Sequence, residues 1–260
     1  MTAQGSAWDP GQYNRFAAER EQPFWDLAAL LQPVDRPVTA DLGCGDGRLT
    51  GALHARLAAS STIGIDSSPS MLAQAARHAG EGVGFEEGDI ATFAGGGFDV
   101  VFSNAALQWV PHHQAVLRQW TAALRPGGQL AVQVPANADH PSHTVARQLA
   151  ALWLGPAAPA DPVERNVLDP AAYAALLHEL GFEVQHVRMQ VYGHLLERSA
   201  DVVEWVKGTS LTRFRAVLDQ PDFDRFVDEY RQALVAEVGD RAPYFYPFKR
   251  ILLWGRLPGS

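Results

Sequence analysis

Asp41, Gly43, Gly45 and Gly47 occupy alternate positions in the run Thr39-Ala40-Asp41-Leu42-Gly43-Cys44-Gly45-Asp46-Gly47. Glycine at every second place lets the chain turn sharply and lets a ligand approach the backbone closely. With a helix opening at Arg48, the turn suits a polar, nucleotide-like ligand, and backbone N–H groups are expected to point into it. Asp66 follows at the spacing of an acid that accepts from both hydroxyls of a ribose. Asp89-Ile90 sets a carboxylate for an exocyclic amine beside an apolar side chain for a purine ring. Ser103-Asn104-Ala105 ends a further apolar run, where open α/β sheets bind ligands. His112 and His113 are the best-placed general bases should the chemistry need one. Their alternative role is to cap and solvate the start of a helix. His140 and His143 lie three apart without an acidic or cysteine partner at metal spacing, so no metal site is expected.

These residues need a scaffold that presents strand ends side by side. Apolar, strand-like runs at about 37–42, 62–66, 83–87, 98–103 and 129–134 alternate with helical patterns at about 46–58, 68–79 and 112–124. The alternation predicts a doubly wound, mostly parallel seven-stranded α/β sheet of Rossmann-like type. Ser68-Pro69 reads as an N-cap and first turn, and Arg125-Pro126-Gly127-Gly128 as a helix stop. Beyond 135 the pattern loosens. Helices are expected over 143–154 and 170–180, a Pro-rich loop over 155–168, and strands over 182–192 and 251–257. Ser199 and Asp222 are read as N-caps of amphipathic helices over 200–217 and 222–238. A dinucleotide fingerprint is disfavoured, because Arg48 stands where the third glycine of G-x-G-x-x-G packs helix against strand.

The chain has 260 residues, a net charge of −8 and one cysteine. The acidic balance, with no basic run, argues against nucleic acid or an anionic membrane as partner. No apolar run reaches the length of a membrane span, and the N-terminal residues lack a signal-peptide pattern. A cytoplasmic protein without an obligate protein partner is the expectation. Cys44 has no partner for a disulfide and reads as a small buried filler of the turn.

The blocks DLGCGDG, GIDSSPSML, GDI and FDVVFSNAALQWV followed by LRPGG occur in order over 37–135. Together they resemble the class I S-adenosylmethionine (SAM) methyltransferases. Trp8, Pro10, Tyr13, Phe16, Glu19-Arg20 and Pro23 add an N-terminal signature, and with A-x-L-Q-W this is similar to the trans-aconitate 2-methyltransferases. Glu204-Trp205-Val206 and the aromatic-Pro-basic run near 246–250 extend the likeness. The resemblance implies that Gly43, Gly45, Asp66, Ser67, Met71, Asp89, Ile90 and Asn104 contact SAM, with Asp41, Cys44 and Ala105 in the same blocks. It also implies that Tyr13, Arg20 and Trp109 close over the methionine end and the reacting methyl. The cofactor would be SAM, its product S-adenosyl-L-homocysteine, and no metal is implied.

The implied layout is one methyltransferase domain over 1–260. It comprises N-terminal lid helices (1–35), a SAM-binding core (36–137), helices and a sixth strand (138–198), a helical cap (199–248) and a final strand (249–258). The cap is expected over the crevice at the strand ends. Tyr13, Trp109, Trp205, Arg213, Tyr246, Lys249 and Arg250 are the candidate substrate contacts, the last two and Arg213 as cations for a carboxylate. In that family the cap arginine tends to follow the leucine directly, whereas Arg213 comes one place later, a turn of ~100° on a helix. The terminal run Pro243-Tyr244-Phe245-Tyr246-Pro247-Phe248 is also richer in aromatics than a tricarboxylate pocket requires.

The expected function is formation of a methyl ester on a small-molecule carboxylate, trans-aconitate or a related acid. A carboxylate, with a pKa near ~4, is already ionised at neutral pH and needs no base. Other readings are a natural-product O- or C-methyltransferase with a larger apolar substrate, a carboxyl methyltransferase of the malonyl-carrier-protein type, and a SAM-binding protein without catalysis.

Overall fold

The structure is a computed structural model that describes residues 17–259, with side chains from Glu21 onward. Tyr13 and the Trp8 to Phe16 signature therefore lie outside the described residues, as does the side chain of Arg20. The strands are β1 (Val38–Leu42), β2 (Ser61–Asp66), β3 (Val83–Glu87), β4 (Phe98–Asn104), β5 (Leu124–Pro135), β6 (Val184–Leu196) and β7 (Tyr244–Arg256). They form one seven-stranded sheet in the order β3-β2-β1-β4-β5-β7-β6. β1 runs parallel to β2 and β4, β2 to β3, and β4 to β5, while β7 is antiparallel to β5. The order reverses between β1 and β4, which opens a crevice at their carboxyl ends.

Strands buried on both faces explain the continuous apolar runs. Val100, Val101 and Phe102 of β4 and Leu130 to Val132 of β5 are almost wholly buried. The helices are α1 (Ala17–Ala28), α2 (Arg48–Leu57), α3 (Pro69–Ala75), α4 (His113–Ala122), α5 (Pro141–Leu154), α6 (Pro162–Asn166), α7 (Pro170–Glu179), α8 (Val202–Lys207), α9 (Thr212–Arg215) and α10 (Gln220–Val238). Phe24 and Leu27 of α1 pack with Leu53, Phe102, Leu252 and Trp254 in one core cluster.

The described chain groups into two compact units. Residues 17–21, 136–165 and 191–249 form one, here the helical unit. Residues 22–135, 166–190 and 250–259 form the other, the sheet unit. The helical unit has its own core, in which Phe214, Phe223, Phe226, Tyr230 and Tyr246 are essentially inaccessible.

Several predicted elements shift in the later half. The single helix expected over 200–217 is broken into a 3-10 turn, α8 and α9. Thr209 and Thr212 hydroxyls bond backbone carbonyls three residues earlier and offer the chain an alternative to a continuous helix. Ser199 is not a cap, since its hydroxyl donates to Gly239 O and accepts from Arg241 N. Asp219, rather than Asp222, caps α10 by accepting from Asp222 N at 2.9 Å. α6 interrupts the predicted Pro-rich loop, and β7 begins at Tyr244, well before the expected 251.

Candidate functional site

The predicted cofactor residues meet within the sheet unit at the ends of β1, β2, β3 and β4. Gly43, Gly45 and Gly47 have φ of 80°, 58° and 72°, a left-handed conformation that glycine adopts without penalty. Their side-chain-free faces differ. A Cβ on Gly43 would overlap Ala106 Cβ, and one on Gly47 would lie 2.5 Å from the Phe85 ring, whereas one on Gly45 would meet nothing within 4 Å. Gly43 and Gly47 are therefore required by packing, and Gly45 faces open space.

The loop amides do not point into the crevice as expected. Gly43 N and Cys44 N both donate to Ile65 O, at 2.8 and 3.0 Å, and Gly47 N donates to Cys44 O. Gly45 N donates to Asp66 Oδ2 at 2.9 Å, and Ser68 N donates to Asp66 Oδ1 at 2.9 Å. These bonds fix the Asp66 carboxylate at the rim and leave each oxygen with further lone-pair capacity for hydroxyl donors. Ser68 caps α3 as expected, its hydroxyl accepting from Met71 N at 3.4 Å. Ser67 is exposed and Met71 half-buried.

Asp41 is 3% exposed and accepts from Thr50 Oγ1 at 2.6 Å. Burial pushes its carboxyl up to about 6, opposed by the Thr50 bond and reinforced by the charge of Asp66. Cys44 packs against Gly64 of β2, and burial drives its thiol far above the ordinary range, so it is an inert filler. Asp89 is exposed and accepts from Ala91 N at 2.8 Å, while Ile90 beside it is buried and its carbonyl accepts from Trp120 Nε1. Ser103 Oγ donates to Leu42 O at 2.7 Å, stitching the ends of β4 and β1. Asn104 Oδ1, next in the chain, is buried without a hydrogen-bond partner. Ala105 is a non-glycine residue at φ 55°, with its carbonyl accepting from Gln108 Nε2 at 2.7 Å.

The two histidines separate sharply. His113 is 1% exposed, with Nε2 2.9 Å from Leu107 O and Nδ1 2.6 Å from Tyr173 Oη. A carbonyl only accepts, so Nε2 carries the proton and Nδ1 accepts from the Tyr173 hydroxyl, which in turn accepts from Leu168 N. Burial also lowers the basicity of His113. This ring holds α4 to α7 and has no nitrogen left for a substrate. His112 is exposed at φ 60° and occupies the N-cap position of α4, without a side-chain cap bond. Trp109, 51% exposed, is a surface ring rather than a core residue beneath α4.

Among the substrate candidates, Arg250 belongs to the sheet unit and donates to Gln133 Oε1 at 3.1 Å. The others fall in the helical unit. Trp205 and Tyr246 are 3% and 0% exposed and pack with His194 and Phe248 as core rings rather than as pocket walls. Alternation of Tyr244, Tyr246 and Phe248 on β7 is thus core patterning. The Tyr246 hydroxyl reaches Ser142 Oγ at 3.2 Å and accepts from Asn137 Nδ2 at 3.5 Å. Lys249 pairs with Asp139. Arg213 is buried and ion-paired to Asp161 Oδ2 at 3.2 Å, an oxygen that His143 Nδ1 also approaches at 2.8 Å. Asp161 and His143 carry no local sequence signal, since they lie 18 residues apart and Arg213 is further still along the chain.

The methyltransferase-domain family matches residues 40–132. A trans-aconitate 2-methyltransferase of Deinococcus radiodurans is 41% identical over 96% of this chain and 98% of its own length. The chain belongs to the trans-aconitate 2-methyltransferase family. A second family member, from Streptomyces avermitilis, is 41% identical over 96% of this chain and 97% of its own. The fold is shared with an S-adenosylmethionine-dependent methyltransferase of Mesorhizobium loti (TM-score 0.53, 22% identity, 91% of this chain, 97% of that one). It is shared also with phosphoethanolamine N-methyltransferase 2 of Haemonchus contortus (TM-score 0.55, 16% identity, 98% of this chain, 54% of that one).

As a member of the trans-aconitate 2-methyltransferase family the chain is a SAM-dependent methyltransferase, and its sheet unit fits that cofactor. Asn104 Oδ1 is an unengaged buried acceptor, as an amino-acid ammonium requires. Gly45 leaves room, and Asp66 has capacity for two hydroxyls. Gln108 of the A-x-L-Q-W block supports the backbone of Ala105. No described helix is long and apolar enough to cross a membrane.

Proposed function

We propose that this enzyme esterifies a carboxylate of a small-molecule acid, with trans-aconitate or a closely related acid as the first candidate. Bound SAM would supply a methyl on a sulfonium, and its transfer to a carboxylate oxygen breaks the C–S bond, leaves the thioether and moves no proton. Asp66 would hold the ribose hydroxyls, Asp89 and Ile90 the adenine, and Asn104 the amino group, so that the methyl is fixed for in-line approach at ~3–3.5 Å.

The observation that supports the carboxylate reading is the engagement of His113, which leaves exposed His112 as the one histidine of the pair for the test to address. Both its nitrogens are bonded inside the fold. A hydroxyl or carbon nucleophile would need a base, and an ionised carboxylate does not. The names of the relatives from Deinococcus radiodurans and Streptomyces avermitilis support the same class of acceptor. Tyr244, Tyr246 and Phe248 of the aromatic run belong to the core, so they are not available to line a pocket for a larger apolar substrate.

The test is methyl transfer from labelled SAM to a panel of tricarboxylic, dicarboxylic, fatty and phenolic acids, repeated with His112→Gln. Ester formation on a polycarboxylic acid, unchanged by the substitution, is the expected result. Products methylated at a hydroxyl or carbon, with turnover lost in His112→Gln, would overturn the reading.

A further inference from the structure

The sheet unit holds a cavity of about 340 Å³ apart from the cofactor crevice. That volume is within the range of small-molecule sites, ~300–1,000 Å³. Gln32, Pro33 and Val34, ahead of β1, form one wall, and Gly127 and Gln129 of β5 and Arg256 at the end of β7 form the other. Gln129 pairs with Val100 of β4, whereas Asn104, at the crevice, pairs with Gln133. At ~3.3 Å per residue the two levels of the sheet are ~13 Å apart along β5.

The walls are fixed by the fold. Gln129 is 1% exposed, its Oε1 accepts from Gln32 N at 2.7 Å and Trp254 Nε1 at 2.9 Å, and its Nε2 donates to Gln32 O at 2.9 Å. Gly127 N donates to Pro258 O at 2.7 Å, and Leu257 N to Gly128 O at 2.9 Å. A cavity shaped in this way costs little further ordering when a ligand enters.

Its chemistry is one-sided. Arg256 is the charged residue of the lining, and none of the lining residues is acidic. Arg256 Nη1 donates to Gln32 Oε1 at 2.6 Å. A guanidinium only donates, so this bond also fixes the amide of Gln32 and makes its Nε2 a donor. Among the described residues, Nε and Nη2 of Arg256 and Nε2 of Gln32 have no acceptor, and Arg256 has no carboxylate partner. Because Gln32 is neutral, the charge of the half-buried Arg256 stays uncompensated.

We propose that this cavity is a second ligand site, for the phosphate group of a small phosphate ester. The guanidinium fork suits two oxygens of such a group. A tetrahedral anion carries a third oxygen for Gln32 Nε2, which a planar carboxylate held by the fork leaves idle. Pro33 and Val34 offer an apolar wall to a short carbon body. The ligand takes no part in methyl transfer, so the site is independent of the acceptor proposed above.

The experiment titrates the full chain calorimetrically at constant ionic strength, with S-adenosyl-L-homocysteine saturating the crevice. Phenyl phosphate is the probe and benzoate its planar control. The wild type should bind phenyl phosphate, and benzoate more weakly. Arg256→Gln should weaken phenyl phosphate by about 10- to 100-fold, as expected for lost charged hydrogen bonds. Gln32→Glu keeps the backbone bonds to Gln129, sets a carboxylate against Arg256 and should abolish binding. Circular dichroism and affinity for S-adenosyl-L-homocysteine report folding and should be unchanged in both variants. Absence of phenyl phosphate binding by the wild type, equal binding by the wild type and either folded variant, or benzoate binding as tightly as phenyl phosphate would overturn the proposal.

Discussion

At the scale of single residues, the crevice divides into groups that shape it and groups that meet the ligand. Asp66 does both, since Gly45 N and Ser68 N hold it in place while each oxygen keeps capacity for a further donor. Asp66→Ala should weaken SAM binding by about 1–3 kcal/mol, measured by calorimetric titration. The glycines allow a sharper comparison. Gly43→Ala drives a methyl into Ala106 and should sharply lower the yield of folded protein, read by circular dichroism. Gly45→Ala meets no protein atom and should cost the fold only about 1–2 kcal/mol of left-handed strain, while SAM affinity falls further because the methyl enters ligand space. Thermal melts with and without SAM separate these two outcomes.

At the scale of elements, the chain Leu168 N to Tyr173 Oη to His113 to Leu107 O ties α4 to α7 through one buried imidazole. Tyr173→Phe leaves Nδ1 without a donor and should destabilise the protein by about 1–3 kcal/mol in denaturant titration, with turnover of the surviving folded enzyme unchanged. Elements were legible in the sequence where local signals sufficed. Val100, Val101 and Phe102 read as a buried parallel strand because both faces are covered, and Ser68-Pro69 read as a helix start because the capping chemistry is local. From 199 onward the signals are distant. Ser199 pairs with Gly239 and Arg241, Asp161 with Arg213, and short helices stop at Gly208 and Ala216, so no local period announces them. The candidate site followed the same division. Asp66, Asp89 and Asn104 sit at strand ends that the apolar runs locate. Tyr246, expected among the substrate contacts, lies in an aromatic run whose period of two is that of a strand with one face in the core.

At the scale of the whole molecule, two buried carboxylates should leave opposite marks on the pH profile of stability. The His143 bond and the Arg213 charge hold Asp161 at about 2 against its burial, below its ordinary 3.8, so the stabilisation it gives is complete above pH ~4 and lost as pH falls through about 2. Asp41 is raised to about 6, so the fold binds its proton more tightly than the unfolded chain and loses stability as pH rises from about 4 through 6. The expected sizes are about 2 kcal/mol for Asp161 and about 3 kcal/mol for Asp41. Melts of Asp161→Asn and Asp41→Asn across pH 2–7 should flatten the acid side and the 4–6 window respectively. A wild-type profile unaltered in those windows by either substitution would contradict the sign argument. The internally bonded turn after β1 has a wider consequence for an enzyme working among crowded metabolites. ATP or NAD arriving there would find the N–H groups of Gly43, Cys44, Gly45 and Gly47 already bonded within the protein and its polyanionic tail uncradled. Discrimination against those abundant competitors thus follows from hydrogen bonds the loop makes to itself, with no gate or dedicated repelling side chain required.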